Sequence, residues 1–468
     1  MPRLIALALV ISATVAASAQ QRMNVLFCIA DDWGYPHASA YGDRAVKTPA
    51  FDRVAKEGAL FTRAFSAAPS CTASRASILT GQAPHRLGVG ANLWSDLPAK
   101  YATYPDLLEK AGYQIGKTRK AWGPGKLQDR PHDPAGRNFK SFEEFMKNVP
   151  DGKPFCFWLG APDPHRPYEK ALAETAGIDP KNVTIPPYIP DTPATRADAV
   201  DYLAEVQRFD ADVAAALDLL DKKGLAGNTL VVITGDNGWP WPRAKANLYD
   251  AGTRQPFAIR WPGRTAGQTI DRLTVLTDLA PTFLDAAGVA IPADMTGQSL
   301  MPVLSKGAKL APRDAVFLER ERHANCRAGN VGYPCRAIRT ETHLYVRNYF
   351  PDRWPAGDPD STGVQGAFGD IDAGPTKALI LAKRDDPEHR KYFDLACAKR
   401  PAEELYDVEA DPHQLTNLAA DEKHAAAKAD LAAKLQKWMT ETQDLRATEP
   451  QTTAWDGYPY YGGAQKGK

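Results

Sequence analysis

The sequence predicts an α/β fold: a large, mixed but mostly parallel central sheet between helices, followed by a smaller C-terminal α+β domain containing an antiparallel sheet. Three observations predict it. Short, uniformly apolar runs at Asn24–Ala30, Phe155–Gly160 and 229–234 read as strands covered on both faces. Stretches of helical periodicity separate them, as crossover connections require. Past about residue 311 the texture changes to strand-like alternation at 336–349 and an amphipathic stretch at 421–442.

The elements follow in order. Arg3, the apolar run 4–15 and Ala17-Ser18-Ala19 form a secretory signal over 1–19, too short to remain as a membrane span. The protein is therefore expected to be exported, periplasmic or secreted. The run NVLFCIA forms the first strand and ends in Asp31-Asp32. Residues 48–65 carry helical spacing behind a Thr-Pro start. Further helices are expected at 103–113, at 194–224 before a C-capping glycine, and at 278–288. The strand 229–234 ends in Gly235-Asp236-Asn237-Gly238, and 257–261 reads as another strand. Residues 351–375, rich in Pro, Gly and Asp, read as a loop. The chain divides into the signal, a large α/β domain over 20–335 and a C-terminal α+β subdomain over 336–468.

Composition narrows the function. The 468 residues are 44% hydrophobic and 24% charged, with a net charge of +1. No global field favours nucleic acid, and no later segment is apolar enough to span a membrane. Of six cysteines, Cys28 and Cys156 fall inside apolar strands and read as inert core. Cys326 and Cys335 are near enough in sequence to pair, and Cys397 has no evident partner. There is no zinc-type Cys/His spacing.

In α/β folds, sites form beyond the carboxyl ends of the strands. Asp31, Asp32, Asp236 and Asn237 all fall there. Each acidic pair alone would read as a helix cap. Together, converging carboxylates repel without a cation, and hard oxygen ligands suit calcium or magnesium. Cys71 stands on a small-residue turn before a short helix, where the helix N-terminus favours negative charge. Arg75 lies one turn on, on the same face. A guanidinium beside a cation makes a trap for a tetrahedral oxyanion.

These residues carry a resemblance. Cys71-Thr72-Ala73-Ser74-Arg75, followed by ASILTG, resembles the motif of the type I, formylglycine-dependent sulfatases, members of the alkaline phosphatase superfamily. Blocks along nearly the whole chain are similar in order: Asp31-Asp32-x-Gly34 with Tyr41-Gly42, then TPAFDRVAKEGALFTRAF. Gly112-Tyr113 leads to Lys120, Asp163-Pro164-His165-Arg166-Pro167 follows, then Gly235–Gly238 with Lys245, and ELYD with Asp411-Pro412. The resemblance implies that a sulfatase-maturing enzyme oxidises Cys71 to formylglycine (3-oxoalanine), whose hydrate is the nucleophile. It implies that Asp31, Asp32, Asp236, Asn237 and the residue at Cys71 bind Ca2+. Arg75, Lys120, His165 and Lys245 would hold the sulfate. Asp236 would deprotonate the hydrate, and His165 with Lys245 would protonate the leaving atom. Spacing from Gly112-Tyr113 favours Lys120 over Lys117.

Two positions depart from the family pattern. Trp122 stands where a histidine is usual, and Arg119 where glycine is usual. DPHR at 163–166, DNGWPWPRAKANLY, RERH at 320–323 and YPCRAIRT look similar to the sulfamidase branch, which removes N-sulfate from glucosamine. That branch implies a sulfated carbohydrate substrate and makes Arg243, Glu321, Arg322 and His323 candidate substrate contacts; the alternative is a surface ion-pair cluster for Glu321, Arg322 and His323 and a solvated side chain for Arg243. Rival readings are an O-sulfatase on another polysaccharide, a phosphonate or phosphodiester hydrolase of the same superfamily, and a glycan-binding protein with little turnover.

Overall fold

The structure is a computed structural model that describes residues 22–305, 312–363 and 365–463. The expected signal at 1–19 lies outside the described residues. Thirteen strands are present among them: β1 (Asn24–Ala30), β2 (Ala59–Phe65), β3 (Gln114–Thr118), β4 (Asn138–Phe139), β5 (Phe155–Gly160), β6 (Thr229–Gly235), β7 (Arg254–Arg260), β8 (Gln268–Ile270), β9 (Thr274–Val275), β10 (Val316–Arg320), β11 (Cys335–Arg339), β12 (His343–Asn348) and β13 (Glu403–Asp407).

The large sheet has the order β4-β3-β5-β1-β6-β7-β2-β8, with β9 beside β2. β1 lies at its centre, parallel to both β5 and β6. Its seven residues are all buried, which is why the run is apolar without alternation. The two faces nevertheless feed different cores. Leu26, Cys28 and Ala30 pack into one cluster, and Val25, Phe27 and Ile29 into the other, as the period of two demands. The helix Pro193–Lys222 covers the first face. It starts at Thr192, whose side chain accepts from the Thr195 N–H, with proline at the first helical position. Leu203, Val206, Phe209, Val213, Leu217 and Leu220 form its buried stripe at spacings of three and four.

One expectation is corrected here. Residues 48–65 are not one helix: the helix is Pro49–Glu57, and β2 follows after Gly58. β2 alternates buried and half-buried positions from Ala59 to Thr62, shifts register between Phe61 and Ala64, and pairs antiparallel with β7. β7 is antiparallel to β6 as well, so the sheet is mixed on that side.

The second sheet is antiparallel in the order β10-β11-β12-β13. One face packs with Phe65, Leu248, Leu273 and Val275 of the larger unit. The other is covered by the helix Ala425–Glu441 through Leu431, Leu435 and Met439. β10 already belongs to this sheet, and the expected boundary at 335/336 falls after the first residue of β11, with β10 on its other side. All six cysteines are buried and free, and Cys326 and Cys335 form no disulfide.

Candidate active site

Parallel alignment of β3, β5, β1 and β6 brings their carboxyl ends to one edge. Lys120 follows β3, His165 follows β5, Asp31-Asp32 follow β1, and Asp236-Asn237 follow β6. The turns close tightly. A Cβ on Gly160 would lie 1.7 Å from the Lys120 carbonyl oxygen, and one on Gly238 would lie 1.9 Å from that of Ala251. Asp32 itself takes a left-handed backbone with φ of 69°.

The helix Cys71–Thr80 inserts between these ends and is buried along its whole length. Ser70 is its N-cap residue, Cys71 opens it, and Gly81 ends it with φ of 67°. Cys71 Sγ lies 3.4 Å from Asp31 Oδ1 and 3.8 Å from Asp32 Oδ1. One turn on, Arg75 Nε donates to Asp236 Oδ2 at 2.6 Å, and its Nη1 donates to the Ala121 carbonyl at 2.9 Å. Asp236 Oδ1 accepts from the Asp32 N–H at 3.0 Å. Lys120 Nζ donates to Asp31. Lys245 Nζ donates to Asp32 Oδ2 at 2.7 Å. His165 Nδ1 faces the Arg166 carbonyl, which leaves Nε2 toward the cluster, 3.8 Å from Asp32 Oδ2.

Burial pushes the Asp31 carboxyl up, but Lys120, His165 and Arg75 outweigh it and hold the group well below the usual carboxylate range. Asp32 goes the other way: burial, with Asp31 and Asp372 adding to it, overcomes Lys245 and His165 and raises its pKa. Burial also raises the Cys71 thiol well above the usual range, against the pull of Lys120 and Lys245. The two neighbouring carboxylates are thus held in opposite directions, Asp31 by its cationic neighbours and Asp32 chiefly by burial.

The donor set fits a hard divalent cation. One ligand atom each from Asp31, Asp32, Cys71 and Asp236 lies within 4.8 Å of all the others. Asn237 donates to Asp32 at 2.7 Å, yet its Oδ1 is buried without a partner. A fully buried amide oxygen left unpaired costs about 1–3 kcal/mol, which a metal ligand role removes.

Three of the four candidate substrate contacts have other partners. Arg243 stacks over Tyr249 at 4.0 Å and donates to the Leu395 and Gln414 carbonyls. Glu321 is buried against Arg336 and Arg446, both at 2.8 Å. Arg322 donates to the Tyr458 and Pro459 carbonyls, each at 2.9 Å, and so ties down the C-terminal segment. The RERH run thus builds a buried ion-pair cluster instead of a surface one. His323 does approach the site, with Nδ1 at 2.9 Å from the Ser70 hydroxyl. Burial drives its pKa down to about 3, so it is neutral. Lys117 pairs with Asp133 at 3.7 Å, leaving Lys120 as the lysine that reaches the carboxylates. Trp122 sits in an apolar cluster with Leu97 and Ala135. Its neighbours Lys120 and Ala121 serve the site through backbone carbonyls that face Arg75.

Asp372 was not among the expected residues. It sits in the Pro/Gly/Asp-rich segment after β12, and its Oδ2 accepts from Lys245 at 3.0 Å. With Asp32 and His165 it forms a second group whose ligand atoms lie within 4.8 Å of one another. No local pattern in that loop signals the role.

A carboxylate nest faced by a guanidinium and two ammonium groups suits a cation and a tetrahedral oxyanion side by side, the arrangement that hydrolases of oxyanion esters or amides use. Residues 23–289 match the family model described as sulfatase, and residues 235–359 match N-sulphoglucosamine sulphohydrolase, C-terminal. Human N-sulphoglucosamine sulphohydrolase is 30% identical over 90% of both chains. An ulvan-active sulfatase of Formosa agariphila is 27% identical over 92% of this chain and 82% of its own. Two solved structures share the fold. The phosphonate monoester hydrolase of Silicibacter pomeroyi superposes with a TM-score of 0.68 at 19% identity, covering 91% of this chain and 97% of its own. A protein in complex with its substrate D-glucosamine-2-N,6-O-disulfate gives 0.63 at 22% identity, covering 91% and 99%. The chain belongs to the sulfatase family, and it is a sulfuric ester hydrolase.

Proposed function

We propose that this protein is an exported, calcium-dependent sulfatase that removes N-sulfate from a glucosamine-type, heparan-like carbohydrate, using formylglycine made from Cys71 by a sulfatase-maturing enzyme. One observation carries the catalytic part: Cys71 opens a buried helix inside the carboxylate cluster, one turn before Arg75. The substrate part is supported by the C-terminal match over 235–359 and by the human relative that spans the chain. Export is supported by the sequence of residues 1–19; among the described residues no helix is long and apolar enough to cross a membrane.

Asp31, Asp32, Asp236, Asn237 and the residue at Cys71 would hold the cation, which supplies positive charge beside the sulfuryl group. The modified Cys71 supplies the attacking oxygen. Arg75, Lys120 and Lys245 orient the sulfate and offset charge on its oxygens as the bond to sulfur forms. Asp236 takes a proton from the attacking group. His165, its Nδ1 fixed by the Arg166 carbonyl, delivers a proton from Nε2 to the leaving nitrogen or oxygen.

The test is the mass of the peptide that carries residue 71, from protein made with a maturing enzyme, together with turnover of N-sulfoglucosamine, an aryl sulfate and an aryl phosphonate. The reading expects an aldehyde in place of the thiol and no activity in Cys71→Ala. A persistent thiol with full activity refutes the mechanism. Faster aryl phosphonate than aryl sulfate turnover moves the protein to the phosphonate class.

A further inference from the structure

The charged groups of the site differ in how far solvent reaches them. The side chains of Asp31, Asp32, Arg75, Asp236 and Lys245 are 0–4% exposed. Those of Lys120, His165 and Asp372 are 20%, 20% and 22% exposed. These three meet an arriving substrate first. Lys120 and His165 suit a sulfate. Asp372 is a carboxylate at the mouth of an anion site, where it repels the substrate's charge unless it serves another part of the molecule.

Its position says which part. Asp372 lies on the His165 side of the cluster, where the proton reaches the leaving group, and Lys245 is its one hydrogen-bond donor among the described residues. An oxygen leaving group departs as a neutral alcohol. A nitrogen leaving group takes both electrons of the S–N bond and one proton from His165, becoming an amine. A second proton from water makes it an ammonium ion. Only the nitrogen case gives a carboxylate a cation to bind and additional N–H donors to accept.

Resting on the N-sulfate reading above, we propose that Asp372 is a specificity residue for that reaction: it contacts the departing amine and selects nitrogen over oxygen leaving groups. A structural role, in which it merely restrains Lys245, would slow every substrate alike.

Matured wild type and Asp372→Asn are compared on N-sulfoglucosamine and 4-nitrophenyl sulfate. The ratio of the two kcat/KM values is expected to fall ten- to a hundredfold in the variant. A parallel loss on both substrates overturns the proposal and leaves the N-sulfate reading intact. A wild type that cleaves the aryl sulfate but not N-sulfoglucosamine overturns that reading, and this proposal with it. A second measurement needs no variant. Glucosamine is expected to inhibit wild-type aryl sulfate turnover at least tenfold more strongly than N-acetylglucosamine, which lacks the ammonium; equal inhibition overturns the proposal.

Discussion

Replacing Asp236 by asparagine removes one charge and one acceptor from a position that uses both. Oδ1 accepts from the Asp32 N–H at 3.0 Å and Oδ2 from Arg75 Nε at 2.6 Å. Both donors are buried and fixed by strand and helix. Asparagine has a single carbonyl oxygen, so its NH2 must face one of the two donors. Breaking a buried pair by removing one partner costs about 3–5 kcal/mol. Arg75 keeps Asp31 at 3.5 Å, which places the expected loss near the lower bound, about 3 kcal/mol. Urea unfolding of chelated protein reads this loss directly. The second consequence is calcium. A cation held at 100 times its Kd stabilises by about 2.7 kcal/mol, and that increment is expected to vanish with the lost carboxylate. Elemental analysis and unfolding with and without calcium measure it. A variant within about 0.5 kcal/mol of wild type that keeps its calcium increment would refute both the packing argument and the ligand assignment.

Three further outcomes are expected. Trp122→Ala should cost about 3–5 kcal/mol, as for a large buried aromatic, without changing bound calcium; loss of calcium at unchanged stability would place Trp122 in the site instead. Arg119 has φ of 42° in the left-handed region, and its pair with Asp212 is more than a third exposed. Arg119→Gly should therefore shift stability by less than about 1 kcal/mol, while Arg119→Ala, which keeps the strain and loses the pair, should destabilise more in the same urea titration. His85 Nδ1 faces Glu319 at 3.0 Å and Nε2 the Thr442 carbonyl at 3.1 Å, so both nitrogens need protons. Burial lowers its pKa, but Glu319 and Asp444 more than offset this and raise it above the usual 6.5. Its stabilising contribution is full below about pH 6.5 and is lost as pH rises through the raised value. The stability gap between wild type and His85→Gln should shrink over that rise; a gap that widens with pH would reverse the assignment.

The sequence alone determined the strands buried on both faces, because NVLFCIA, FCFWLG and TLVVIT have continuous apolar interiors and are followed by, or end in, acidic or small residues. Asp31-Asp32, Cys71, Arg75 and Asp236-Asn237 were legible as site candidates from strand ends and a helix start, whereas Lys120, His165 and Lys245 were implied only by the resemblance to the sulfatases. β2 was hidden, because ALFTRAF continues the helical spacing of the residues before it and only pairing with β7 makes it a strand. The partners of Glu321, Arg322 and Arg243 were likewise set by tertiary structure. A charged run has no inside or outside until partners such as Arg336, Arg446 and the Tyr458 and Pro459 carbonyls fold against it. Asp372 shows the same principle at the site itself. A loop aspartate 127 residues from Lys245 becomes its partner through long-range packing, and no local pattern of residues encodes a contact between segments so far apart in the chain.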